Sequence, residues 1–246
     1  MNEEILVSAA ASLTEAFQAI GRAFEQANAP LKVRFNLGAS GALMRQIEQG
    51  APVDVFASAG DAEMNALAKA GRVEPTTRSI FAGNRLALIV PADGRLDRME
   101  VSKPPSWYTL GYPFVRRVAL SKPETVPSGR YARQLLEQQG IWARVRAKAV
   151  FGGNVRQTLT YVTTGDVDAG VVFVTDAIAA KGRVRVLVTS LAPRDHEPIV
   201  YPAAVLTDAP NANVARRFVA FLRSAPAQAV LKKQGFLPAP PPPARR

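Results

Sequence analysis

Short β-rich runs alternate with amphipathic stretches along most of the chain. Ile5-Leu6-Val7-Ser8-Ala9 reads as a strand, and residues 13–28 carry apolar positions at helical spacing. Val33-Arg34-Phe35 and Val53-Asp54-Val55-Phe56 read as further strands, with helices over 42–49 and 61–70. Leu86-Ala87-Leu88-Ile89-Val90-Pro91 is an apolar strand closed by proline, after which the alternation fades through Lys103-Pro104-Pro105-Ser106. A second series follows, with strands at 118–120, 149–151, 170–173 and 184–188 and helices at 130–139, 155–164 and 176–180. A returning strand at 199–206 and helices at 213–223 and 225–234 complete the pattern. Strands separated by helices predict parallel pairing with crossover connections, so the expected class is α/β. The break in rhythm predicts two lobes, 1–83 plus 204–237 and 84–203, followed by a disordered proline-rich tail at 238–246.

Charge and composition narrow the function. The chain has 246 residues and a net charge of +11. Its basic residues are dispersed, the longest runs being pairs such as Arg116-Arg117, Arg216-Arg217 and Lys232-Lys233. Such a field favours anions in general and supplies no nucleic-acid-binding arm. The absence of cysteine excludes disulfides, thiolate metal sites and a cysteine nucleophile. The single histidine, His196, lies in Arg194-Asp195-His196-Glu197 and reads as a solvated loop residue rather than a general base. Gly38-Ala39-Ser40-Gly41-Ala42 lacks the last glycine of a nucleophile elbow, and no glycine-rich loop ends in Lys-Ser or Lys-Thr. Asp166 and Asp168 read as a turn entering a strand, and Trp107, Tyr108 and Trp142 as packing. No catalytic residue and no directly bound metal are expected.

A recurring unit carries the chemistry: a strand followed by a small polar residue that can cap the next helix, at Ser12, Ser40, Ser128 and Asn154. Ser12-Leu13-Thr14-Glu15 and Asn154-Val155-Arg156-Gln157 have capping-box spacing. Helix N-termini expose unpaired N–H donors and the positive end of the backbone dipole, so several of them facing one ligand form an anion site without Lys or Arg.

Beyond these spacings, Ala9-Ala10-Ala11-Ser12-Leu13, Ala39-Ser40-Gly41-Ala42-Leu43, Gly50-Ala51-Pro52-Val53-Asp54-Val55-Phe56-Ala57-Ser58-Ala59 and Gly83-Asn84 occur in order. Pro123-Glu124-Thr125-Val126-Pro127-Ser128-Gly129, Asn154-Val155-Arg156, Gly165-Asp166-Val167-Asp168-Ala169-Gly170, Tyr201-Pro202 and Gly235-Phe236 follow. In these motifs, over about residues 4–237, the chain resembles the molybdate-binding proteins of bacterial ABC importers. The resemblance implies a two-lobed periplasmic-binding-protein fold of type II, each lobe a mixed, mostly parallel sheet flanked by helices, with the ligand in a cleft between the lobes. It implies that Ser12 and Ser40 offer hydroxyl and backbone N–H, and that Ser128 and Val155 offer backbone N–H. Ser128 replaces the family's usual alanine, and Phe173 a tyrosine whose hydroxyl touches the ligand, so the Ser128 hydroxyl is a candidate replacement donor.

The resemblance further implies a monomer that binds molybdate or tungstate, uses no cofactor, binds no nucleic acid and delivers its ligand to a membrane permease. Met1-Asn2-Glu3-Glu4 has neither the basic nor the apolar region of a signal peptide, so a periplasmic protein of this kind is expected to have had its signal removed. The alternatives are a binding protein or sensor for sulfate or chromate. A fully deprotonated tetrahedral dianion presents only acceptors, which a donor-only site satisfies; a protonated phosphate needs an acceptor as well.

Overall fold

The computed structural model describes residues 4–94 and 104–239. Met1–Glu3, most of the break in the pattern at 95–103, and all of the proline-rich tail but Pro238 and Ala239 lie outside the described residues. In chain order the strands are β1 Glu4–Ala10, β2 Lys32–Gly38, β3 Val55–Ala57, β4 Ser79–Asn84, β5 Leu86–Pro91, β6 Val118–Ser121, β7 Ala149–Gly152, β8 Ala169–Phe173, β9 Val184–Thr189 and β10 Ile199–Val205. The helices are α1 Thr14–Ala27, α2 Ser40–Glu48, α3 Asp61–Lys69, α4 Pro127–Gln138, α5 Trp142–Arg146, α6 Val155–Thr163, α7 Val174–Ala179, α8 Ala212–Phe221 and α9 Ala225–Lys233.

Two compact units result, Met1–Gly83 with Val200–Arg246, and Asn84–Ile199. Residues 200–203, assigned from the sequence to the second lobe, fall in the first, because β10 pairs there with β3 through Ala203 and Ala57. Each unit holds one five-stranded sheet, ordered β2-β1-β3-β10-β4 in the first and β7-β6-β8-β5-β9 in the second. In the first, β1 runs parallel to β2 and β3, and β10 runs antiparallel to β3. In the second, β6 runs parallel to β7 and β8, and β5 antiparallel to β8 and β9. The α/β class with mixed sheets is as expected, but the second sheet has as many antiparallel as parallel pairings and so is not mostly parallel.

Hydrophobic periodicity explains the layers. On α1, Ala16, Phe17, Ile20, Gly21 and Phe24 fall on one buried face at spacings of three and four. There Phe17 meets Phe35, Phe81 and Phe218 at ring-centroid distances of 5.8, 5.7 and 6.1 Å. A second cluster, including Leu43, Ile47, Phe56, Met64, Leu67 and Ala204, packs α2 and α3 onto the sheet with Leu6 at its margin. β4 and α5 were not anticipated. β4, Ser79–Asn84, shows no apolar–polar alternation and ends in Gly83-Asn84, and five residues of α5 do not complete two helical turns.

Candidate functional site

In the first unit the carboxyl ends of three parallel strands lie at one edge of the sheet, since Ala10 is in register with Gly38 and Ala9 with Ala57. Ser12, Ser40 and Ser58 follow these ends directly. β10 runs the opposite way, so its beginning reaches the same edge, where Ser58 N–H donates to the Pro202 carbonyl at 3.0 Å. The Ser12 hydroxyl lies 3.1 Å from the Tyr201 hydroxyl, both residues buried. Ala59 N–H donates to Ser40 Oγ at 3.2 Å. Ser58 Oγ is buried with no hydrogen-bond partner among the described residues. The carboxylate in the same segment, Asp54, accepts from Leu6 N–H at 2.8 Å and Asn211 N–H at 2.7 Å and so serves the backbone.

The capping expectation fails at three of its four positions. Ser12 falls in a short 3-10 turn, Ala11–Leu13, which leaves Leu13 at the N-cap of α1. Ala39 is the N-cap of α2 and Val126 that of α4, with Pro127 opening α4, so Ser40 and Ser128 are already helical. None of these three helices has a side-chain cap. The serine hydroxyls turn to other partners, while among the first-turn amides Ala42 N–H and Gly129 N–H bond back to the Ala39 and Val126 carbonyls. Asn154 does cap α6, its side chain accepting from Gln157 N–H at 2.9 Å, while Gln157 reaches back to Gly153 N–H rather than to Asn154.

In the second unit Ser121, Gly152 and Phe173 end β6, β7 and β8, and α4, α6 and α7 begin beyond them, which places Ser128, Val155 and Phe173 at the carboxyl ends of their own sheet. Four oxygens are chained together there. Ser128 Oγ donates to Ser121 Oγ at 2.9 Å, Ser121 Oγ is 2.8 Å from Thr158 Oγ1, and Thr158 Oγ1 donates to the Asn154 carbonyl at 3.1 Å. Each hydroxyl has one proton, and Thr158 spends its own on the carbonyl, so the chain runs from Ser128 to Asn154. The Ser128 proton is therefore directed to Ser121, and this hydroxyl does not cap α4.

The chain is packed closely. A Cβ on Gly129 would stand 2.2 Å from the Ser121 carbonyl oxygen, and one on Gly152 would stand 2.6 Å from Thr158 Oγ1. Phe173 is buried, and its N–H donates to the Asp176 carboxylate at 3.3 Å. Asp176, fully buried, pairs with Arg156 at 3.0 Å, so the charges beside Val155 and Phe173 neutralise one another. This pair escaped sequence reasoning because its members lie twenty residues apart on different helices; Tyr201, visible only as part of a motif, escaped for a similar reason.

His196 is a correction: it is buried, not solvated. Its Nδ1 lies 2.6 Å from the Glu197 carbonyl and its Nε2 2.6 Å from Ser190 Oγ, which also accepts Leu86 N–H at 2.8 Å. The carbonyl requires Nδ1 to carry the proton, so in the neutral imidazole Nε2 accepts from Ser190. Burial holds its pKa below the ordinary value, outweighing the Glu197 carbonyl and Asp195, which act the other way. Ser190 is fully buried, so this Ser–His contact is closed to a substrate. Asp168 accepts from Arg116 and Arg117 N–H, as a turn residue should. Trp107 is buried, but Tyr108 is half exposed and does not pack as expected. Trp142 lies beneath the Arg133 guanidinium, 5.7 Å from the ring centroid. Among the described residues, no group of three or more His, Cys, Asp or Glu side chains is placed to hold a metal ion, and no helix is long and apolar enough to cross a membrane.

Residues 5–237 match the family profile of bacterial extracellular solute-binding proteins. The chain belongs to that family. Among relatives of this solute-binding protein, YvgL of Bacillus subtilis (strain 168) is 36% identical over 94% of this chain and 85% of its own length. The molybdate-binding protein ModA of Escherichia coli (strain K12) is 33% identical over 95% of this chain and 88% of its own. The solved periplasmic molybdate-binding protein of Azotobacter vinelandii superposes with a TM-score of 0.82 at 23% identity, covering 95% of this chain and 98% of that one, and so shares the fold.

Proposed function

We propose that this solute-binding protein captures molybdate, and with it tungstate, and delivers the anion to the membrane permease of an ABC importer. The donors are Ser12 and Ser40 of the first unit, through hydroxyl and amide, and Ser128 and Val155 of the second, through their amides, in the unit where Phe173 ends β8. The reading places the protein in the periplasm as a monomer that binds rather than catalyses, and the closed Ser190–His196 contact supports the last point.

One observation carries the reading. At the carboxyl ends of the strands, Ser40 Oγ already accepts an amide proton and is left to donate its own, beside helices whose N-termini lack side-chain caps. An acceptor-only dianion suits such an array, whereas a ligand proton left unpaired would cost about 1–3 kcal/mol. Family membership and the ModA likeness add to this, as the name of that relative states its ligand. Calorimetric titration with molybdate, tungstate, sulfate, chromate and phosphate tests it. The expected order has molybdate and tungstate tightest, sulfate weaker and phosphate weakest. Tightest binding of sulfate or chromate would move the protein to that ligand, and tighter binding of phosphate than of molybdate, or no binding below millimolar concentration, would end the oxyanion reading.

A further inference from the structure

Tyr201 stands at the beginning of β10, where Ser58 meets Pro202, and its hydroxyl lies 3.1 Å from Ser12 Oγ. The ring is fully buried and held between Phe236, at a centroid distance of 5.2 Å, and Phe81, at 6.3 Å. The phenol therefore has little freedom to leave Ser12. Two hydroxyls in contact share one hydrogen bond, and either can donate. If Ser12 donates to Tyr201, Ser12 shows an anion only lone pairs. If Tyr201 donates to Ser12, the Ser12 proton is left for the anion, and the bond it receives polarises it as a stronger donor. Ser40 has the same arrangement, with Ala59 N–H in the place of the phenol.

We infer that Tyr201 is a positioning and specificity-determining residue: its phenolic O–H donates to Ser12 Oγ and so fixes Ser12 as a donor to an oxyanion that carries no proton. This rests on the reading of Ser12 as an oxyanion donor. Without the phenol the Ser12 hydroxyl can rotate and accept, which is what hydrogen phosphate requires of one partner. Tyr201 thus weighs against protonated oxyanions without touching them, and selectivity moves with it, a change that looser packing alone would not produce.

The test is Tyr201→Phe, which keeps the ring, titrated with molybdate and, by displacement, with phosphate. Molybdate binding is expected to weaken by about fivefold to tenfold, with phosphate binding unchanged or tighter, so that discrimination narrows by at least that factor. Equal weakening of both anions, or an unchanged molybdate affinity, overturns the inference. Ser12→Ala separates it from the reading beneath it. If Ser12→Ala weakens molybdate binding and Tyr201→Phe does not, the inference alone fails; if Ser12→Ala has no effect, the assignment of Ser12 fails and the inference with it. Should Tyr201→Phe fold poorly, the double variant Ser12→Ala/Tyr201→Phe removes both partners, which folded proteins tolerate better. It is expected to bind molybdate as Ser12→Ala does, and a further loss would show Tyr201 acting by another route.

Discussion

The two units present helix N-termini at the carboxyl ends of their strands, yet they use their hydroxyls in opposite ways. In the first, Ser40 receives a proton from the backbone and Ser12 shares a hydrogen bond with a phenol. In the second, the Ser128 hydroxyl gives its proton inward, through Ser121 and Thr158, to the carbonyl of Asn154. The chain ties the start of α4 to that of α6 and leaves amides as the donors there. Serine at a helix start thus has no fixed role; what decides it is whether the neighbouring oxygen or nitrogen can give or take a proton.

The comparison can be broken most severely at its glycines. Gly129→Ala would drive a Cβ into the Ser121 backbone, and we predict a loss of about 3 kcal/mol or more in urea unfolding. Gly38→Ala, in the first unit, meets the flexible Leu43 side chain at 3.4 Å and should cost less than about 1 kcal/mol. Equal losses would show that the second unit is not the more tightly locked.

Serine variants address the hydroxyls themselves. Ser12→Ala and Ser40→Ala are each expected to weaken molybdate binding by about 1.5–3 kcal/mol, a tenfold to hundredfold change in calorimetry. Ser128→Ala should lower stability by about 1 kcal/mol by taking the donor from Ser121, and leave affinity within about twofold. An affinity loss at Ser128 matching that at Ser12 would place its proton on the ligand after all.

Phe173→Tyr is expected to strengthen molybdate binding by about tenfold, because it adds a donor where the second unit otherwise has amides. Unchanged affinity with reduced stability would place the new hydroxyl in the core instead.

The mildest contrast concerns acid. The histidine, His196, is buried in the second unit with its pKa depressed, so it binds fewer protons folded than unfolded. Its contribution is complete above the unfolded value of about 6.5 and is lost as pH falls from there through the folded pKa. Asp195, whose pKa is also depressed, acts only below the carboxylate range, in a separate window. Stability measured between pH 7 and 5 should therefore fall in the native protein and flatten in His196→Gln. A slope unchanged by the substitution would assign the acid sensitivity elsewhere.

Sequence alone determined the class, most elements and the positions of the candidate donors. Hydrophobic spacing is local, and the strand-to-helix junctions at Ser12, Ser40, Ser128 and Asn154 recur close to their motifs. It anticipated Asn154 as a cap because donor and acceptor there are three residues apart. Tertiary structure decided the rest. Ser12 meets Tyr201 across 189 positions, Ser40 meets Ala59 across 19, and Asp176 finds Arg156 from another helix. Burial also made a neutral, enclosed group of the histidine whose flanking sequence reads as solvated. A hydroxyl's role is set by which oxygen already holds the neighbouring proton, and only the folded chain brings those oxygens together.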